Sequence, residues 1–104
     1  MTMHVVSPEI DRLKQLYGGG FQNNFLDNAL RKVIHHQITR DKADLRRVQD
    51  ALDGFEALYG LSSADFWERF QIGEMADTAD FMEWNAFCKM KPRILGRLRI
   101  LTER

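Results

Sequence analysis

Residues 24–59 read NFLDNALRKVIHHQITRDKADLRRVQDALDGFEALY, and the fold turns on how that stretch is read. Asn23 or Asn24 can cap a helix here, because an asparagine side chain accepts a hydrogen bond from a free N–H of the first turn. Apolar side chains then recur at helical spacing: Phe25, Leu26, Ala29, Leu30, Val33, Ile34 and Ile38, followed by Leu45, Val48, Leu52, Phe55 and Tyr59. No proline interrupts them, and Gly54 is the one glycine. Ile38, Leu45, Leu52 and Tyr59 lie seven apart, as do Ile34, Asp41, Val48 and Phe55. That is a seam at coiled-coil spacing with one polar interruption, Asp41. An unbroken helix of about 36 residues would be roughly 54 Å long. A lone small domain does not cover such a rod, so a break near Thr39-Arg40-Asp41, or a partner, is expected.

Upstream, Met3-His4-Val5-Val6 is the one candidate strand, too short to stand alone. Ser7-Pro8-Glu9 starts a helix: serine caps free N–H groups, proline suits the first turn, and the acid suits the positive end of the dipole. Ile10, Leu13, Leu16 and Tyr17 give it one apolar face, and Gly18-Gly19-Gly20 stops it. Downstream, Gly60 ends the long segment. Ser62-Ser63-Ala64-Asp65 has the shape of a capping box ahead of a short helix with Phe66, Trp67 and Phe70. Gly73 closes that helix. Asp77-Thr78-Ala79-Asp80 opens a last one carrying Phe81, Met82, Trp84, Phe87 and Met90. Pro92 is expected to kink or end it, with residues 93–101 resuming.

Composition excludes several classes. Fifteen basic and fifteen acidic side chains cancel over 104 residues, so a uniformly basic nucleic-acid coat and a polybasic membrane anchor are ruled out. No stretch approaches the ~20 apolar residues of a membrane span. No basic region precedes an apolar run at the N-terminus, so a cytoplasmic protein is expected. Cys88 is the single cysteine, which excludes an internal disulfide and a multi-cysteine zinc site. His35 and His36 are adjacent and diverge by about 100° on a helix, so they cannot chelate one ion together. Gly18-Gly19-Gly20 lacks the Lys-Ser/Thr of a phosphate loop. Cys88 has no histidine near it in sequence and reads as a small buried thiol. No catalytic residue, metal or cofactor is expected.

The charges are unevenly placed. Residues 60–88 hold one base, Arg69, against six acids, for a net −5; residues 89–104 hold six bases against Glu103, for a net +5. Six of the eleven aromatic residues, Phe66, Trp67, Phe70, Phe81, Trp84 and Phe87, fall within 22 positions of the acidic part. They are either this chain's own core or a partner-binding surface, where large aromatics anchor burial and acids steer a basic partner. Their narrow one-sided stripes beside exposed acids favour the surface.

The run from Tyr59 to Trp84, YGLSSADFWERFQIGEMADTADFMEW, resembles the C-terminal signature of small bacterial and cyanobacterial antitoxin-like proteins. In that group a Tyr-Gly-(Met/Leu)-Ser-Ser segment leads to Phe-x-x-(Arg/Lys)-Phe, Gly-Glu, then Asp-x-x-Asp-Phe-x-Glu-Trp. The resemblance implies a cytoplasmic protein that occludes a small cognate toxin. The first 39 residues resemble a ribbon-helix-helix module: strand Met3–Ser7, helix Pro8–Tyr17, turn Gly18–Gln22 and helix Asn23–Ile38. In that fold two strands pair across a homodimer and enter the major groove, while the second helix's N-terminus meets phosphate. Thr2, His4, Arg12, Asn23, Asn24 and Arg31 are the residues such a regulator would turn towards operator DNA. This strand has no Arg or Lys before Arg12, which favours the dimer scaffold over base readout.

The expectation is therefore an all-α chain, or a mainly α one with a short N-terminal strand, built from a long central helix and short C-terminal helices. Residues 1–59 form a ribbon-helix-helix-like dimerisation region. Residues 60–104 form acidic-aromatic, partner-binding helices with a basic tail. The expected role is that of an antitoxin, and the alternative is a dimeric DNA-binding regulator.

Overall fold

A computed structural model describes residues 7–103. Four helices account for nearly all of them: α1 (Pro8–Gly18), α2 (Asn24–Tyr59), α3 (Ser63–Gln71) and α4 (Ala79–Thr102). No strand occurs among the described residues. The candidate strand at Met3–Val6 lies outside them. Contacts divide the chain into two compact units, one up to Val33 and one from Ile34 onward. The dividing line falls inside α2.

In the first unit, the side chain of Ser7 accepts the Ile10 N–H at 3.2 Å and starts α1. The glycines end it, Gly20 taking a φ of +91° that a residue with a Cβ rarely adopts. Asn23 Oδ1 accepts the Leu26 N–H at 3.0 Å at the start of α2. The Tyr17 hydroxyl donates to Asp27 Oδ1 at 2.7 Å, joining α1 to α2 within this unit. No described residue of the unit is buried.

The second unit has a core. Val48 and Leu52 of α2, Phe66 of α3, and Trp84 and Ile94 of α4 are buried, with Leu45, Phe55, Phe70, Phe81, Phe87 and Leu98 packed around them. Pairings across the unit show the order. Asp41 meets Arg97, Phe55 stacks on Trp84, and Tyr59 meets Phe81 and Asp80. As the α2 number rises the α4 number falls, so the two helices run antiparallel. α3 packs at the Tyr59 end through Phe66, whose ring lies 3.9 Å from that of Trp84 at an interplanar angle of 5°. Ser62 caps α3 by accepting the Asp65 N–H, and Thr78 caps α4 by accepting the Phe81 N–H, each at 3.1 Å. Full burial of each apolar core side chain contributes about 1.5–3 kcal/mol.

Two alternatives are resolved. Of the break or partner expected for α2, the break at Thr39-Arg40-Asp41 is absent, and the expected long central helix is one helix of 36 residues. The Thr39 hydroxyl donates to the His35 carbonyl along the helix, and Asp41, 1% exposed, faces α4 and is paired there with Arg97. The polar interruption in the apolar seam is a buried charge with a partner. Nor does Pro92 end the last helix, which is one of 24 residues. Proline removes one hydrogen bond of the helix. Ile94 and Leu98, beyond it, are held by the core, and that packing carries α4 through the gap.

Candidate partner-binding site

Of the six aromatic candidates, Phe66 and Trp84 have no exposed surface, so the surface reading is corrected for these two: they are core. The missing half of the core is α2. Val48, Leu52 and Phe55 supply the broad apolar face that the aromatic stripes of α3 and α4 lack between themselves. Phe70, Phe81 and Phe87 are half-buried against that core. Trp67 alone is exposed, at 41%.

Burial of Trp84 places a polar N–H in the interior, where an unpaired donor is costly. Its Nε1–H donates to Ser63 Oγ at 3.0 Å. The Ser63 N–H in turn donates to Glu56 Oε2 at 2.7 Å, and the Cys88 thiol approaches the Ser63 carbonyl at 3.9 Å. One serine therefore ties α2, α3 and α4 together. Burial, and secondarily the Glu56 carboxylate, pushes the Cys88 thiol up from its usual value, against the opposite pull of Lys91. A raised thiol is a poor nucleophile at neutral pH, and its position fits a structural cysteine. Nothing in the local sequence singled out Ser63 from Ser62. The signal was the tryptophan 21 positions later, which needed an acceptor.

Trp67 lines a groove of about 810 Å³ between α3 and α4. Leu52 and Pro92 share its apolar lining. Asp65 and Glu68 stand on the α3 wall, and Lys89, Lys91 and Arg93 on the α4 wall. The groove is apolar at its base with opposite charge on its two sides, which suits a peptide or helix surface better than a small ion. Among the described residues no cluster of three or more His, Cys, Asp or Glu side chains is placed to hold a metal. His35 and His36 are both exposed.

The residues expected to face DNA fall in the first unit. Thr2 and His4 lie outside the described residues. Arg12 is exposed on α1. Asn23 is committed as the cap of α2, and Asn24 is the helix's first residue. Arg31 donates to Asn28 Oδ1 at 3.0 Å. α2 runs 21 residues beyond Ile38, where the ribbon-helix-helix resemblance places a helix end. Among the described residues no helix is long and apolar enough to cross a membrane. Comparison with protein-family models, with curated proteins and with solved structures finds no match.

Proposed function

We propose that the chain is an antitoxin-like binding protein, which pairs with a second copy through its N-terminal unit and occludes a small toxin by steric contact. The observation that carries this reading is the lack of any buried residue from 7 to 33, although the unit has an apolar face. Phe25 is 77% exposed, Val33 65% and Ile10 51%. Large apolar side chains left exposed on helices that bury nothing of their own are candidates for a surface that another chain covers. The ribbon-helix-helix resemblance of the same residues supports a second copy as that chain. The toxin contact is assigned to the groove around Trp67, because an exposed tryptophan beside charged walls is the kind of anchor that dominates interface energies. The acids and the exposed aromatic of α3 lie within the stretch that carries the antitoxin-like signature.

The test is co-expression with the product of any small open reading frame encoded next to this gene, followed by affinity capture and light scattering. A complex that survives gel filtration, and a toxic neighbour relieved by this chain, supports the reading. A neighbour that neither binds nor inhibits growth removes it.

A further inference from the structure

Antiparallel pairing of α2 and α4 joins two basic segments that lie about fifty positions apart in sequence. Residues 38–50 and 89–103 together hold nine bases against four acids, and one of those acids, Asp41, is buried. Arg47 of α2 and Arg93 and Arg97 of α4 line one groove of about 570 Å³, whose floor is Val48, Phe87 and Ile94. Arg40 lies seven positions from Arg47 and so shares its side of α2. Asp44 is the acid in this groove, and it pairs with Arg47 on the surface. Such an exposed pair is worth little and yields readily to a competing anion. The chain's acidic end, around Asp77, Asp80 and Glu83, is at the opposite end of the helix pair.

We infer that this arginine groove is a binding site for the phosphate backbone of double-stranded nucleic acid. The inference goes beyond the toxin-binding reading and does not depend on it. Arginine presents a planar fork of donors that matches phosphate oxygens in pairs. Arg93 and Arg97 are four positions apart, about 6 Å along α4, close to two steps of ~3.4 Å along one strand of a duplex. Arg97 spends Nε and Nη2 on Asp41, so Arg47 and Arg93 carry the main phosphate contacts. Single-stranded nucleic acid is disfavoured, because such sites offer exposed aromatic faces for base stacking, and Phe87, the one aromatic side chain lining the groove, is half-buried. The contact reads backbone and not sequence.

The experiment is fluorescence anisotropy of a labelled mixed-sequence DNA duplex with the full chain across a salt series. With about three phosphates neutralised, by Arg40, Arg47 and Arg93, the logarithm of the affinity falls with a slope of about −2.5 to −3 against the logarithm of salt concentration. Arg47→Glu combined with Arg93→Glu lowers affinity by at least about tenfold and flattens that slope by roughly two. Both side chains are exposed, so the variant keeps its melting temperature. Arg69→Glu, exposed on α3 and outside the groove, leaves binding unchanged, and Arg12→Glu tests the N-terminal unit as the alternative site. No binding at about 50 mM salt, or binding that Arg12→Glu abolishes and the groove variant does not, overturns the inference. So does a result in which the duplex is ignored but the groove variant abolishes self-association, because the groove then serves the acidic end of a second copy.

Discussion

The carboxylate of Asp41 accepts hydrogen bonds from Arg97 Nε and Nη2, at 3.3 and 3.1 Å, across 56 positions of chain. Gln37 donates to the same carboxylate at 3.1 Å from one turn earlier in α2. Arg97 first, and then Gln37, holds the Asp41 carboxyl below its usual value, although burial pulls the other way. A single polar pair in an apolar helical seam specifies register at some cost in stability, and here it fixes which turn of α4 faces which turn of α2.

Arg97→Met leaves Asp41 buried without its cation and lowers the melting temperature. Replacing both partners, with Asp41→Leu and Arg97→Met, costs less than the two single changes together, because it removes the unpaired charge. Thermal unfolding of the four proteins of this cycle measures the difference. The pair also has a pH signature. A carboxyl whose folded value is depressed stabilises the fold fully above its unfolded value, ~3.9, and loses that contribution as pH falls through the lower folded value. Acid unfolding of Asp41→Asn therefore has a shallower pH dependence below about pH 4 than the parent protein.

Trp84→Ala destabilises the free protein by about 3–5 kcal/mol, with no partner present. Ser63→Ala keeps the ring but strands its Nε1–H, at a cost of about 1–3 kcal/mol. Urea unfolding followed by tryptophan fluorescence separates the two. A Trp84→Ala protein with unchanged stability would return this residue to the surface.

Pro92→Ala restores an N–H able to bond the carbonyl of Cys88 in a helix that already runs through this position. The substitution stabilises the protein, by at most ~3 kcal/mol on helix propensity. A higher urea midpoint with an unchanged slope is the expected result.

Trp67→Ala changes stability little, within about 0.5 kcal/mol as for other surface substitutions. It weakens capture of the proposed toxin partner by at least ~2 kcal/mol, as for an anchoring aromatic of an interface. Isothermal titration beside a melting curve gives both quantities. Equal affinity for Trp67→Ala and parent moves the contact elsewhere.

Much of the helical layout was legible because it is written locally. Ser7 and Ser62 sit where caps were expected, Thr78 caps α4 from within the expected opening Asp77–Asp80, and Gly60 and Gly73 end helices with φ of +63° and +80°. What could not be read depends on residues far apart. Asp41 resembles a break until Arg97, 56 positions on, is known to face it. Pro92 resembles a stop because the packing of Ile94 and Leu98 on α2 is absent from their own neighbourhood. The aromatic cluster was ambiguous for the same reason, since its covering face comes from Val48, Leu52 and Phe55, ahead of it in the chain. The groove beside Trp67 was half visible: its acids and aromatic residue stand together in sequence, but its basic wall comes from α4.

The most direct test of self-pairing through the N-terminal unit is the mass of the chain alone, measured by light scattering over a dilution series and compared with that of Phe25→Asp. The parent chain is expected at twice its 12.2 kDa, and Phe25→Asp at a single chain's mass with the melting transition of the second unit intact. A parent protein that stays at 12.2 kDa at every concentration would contradict it.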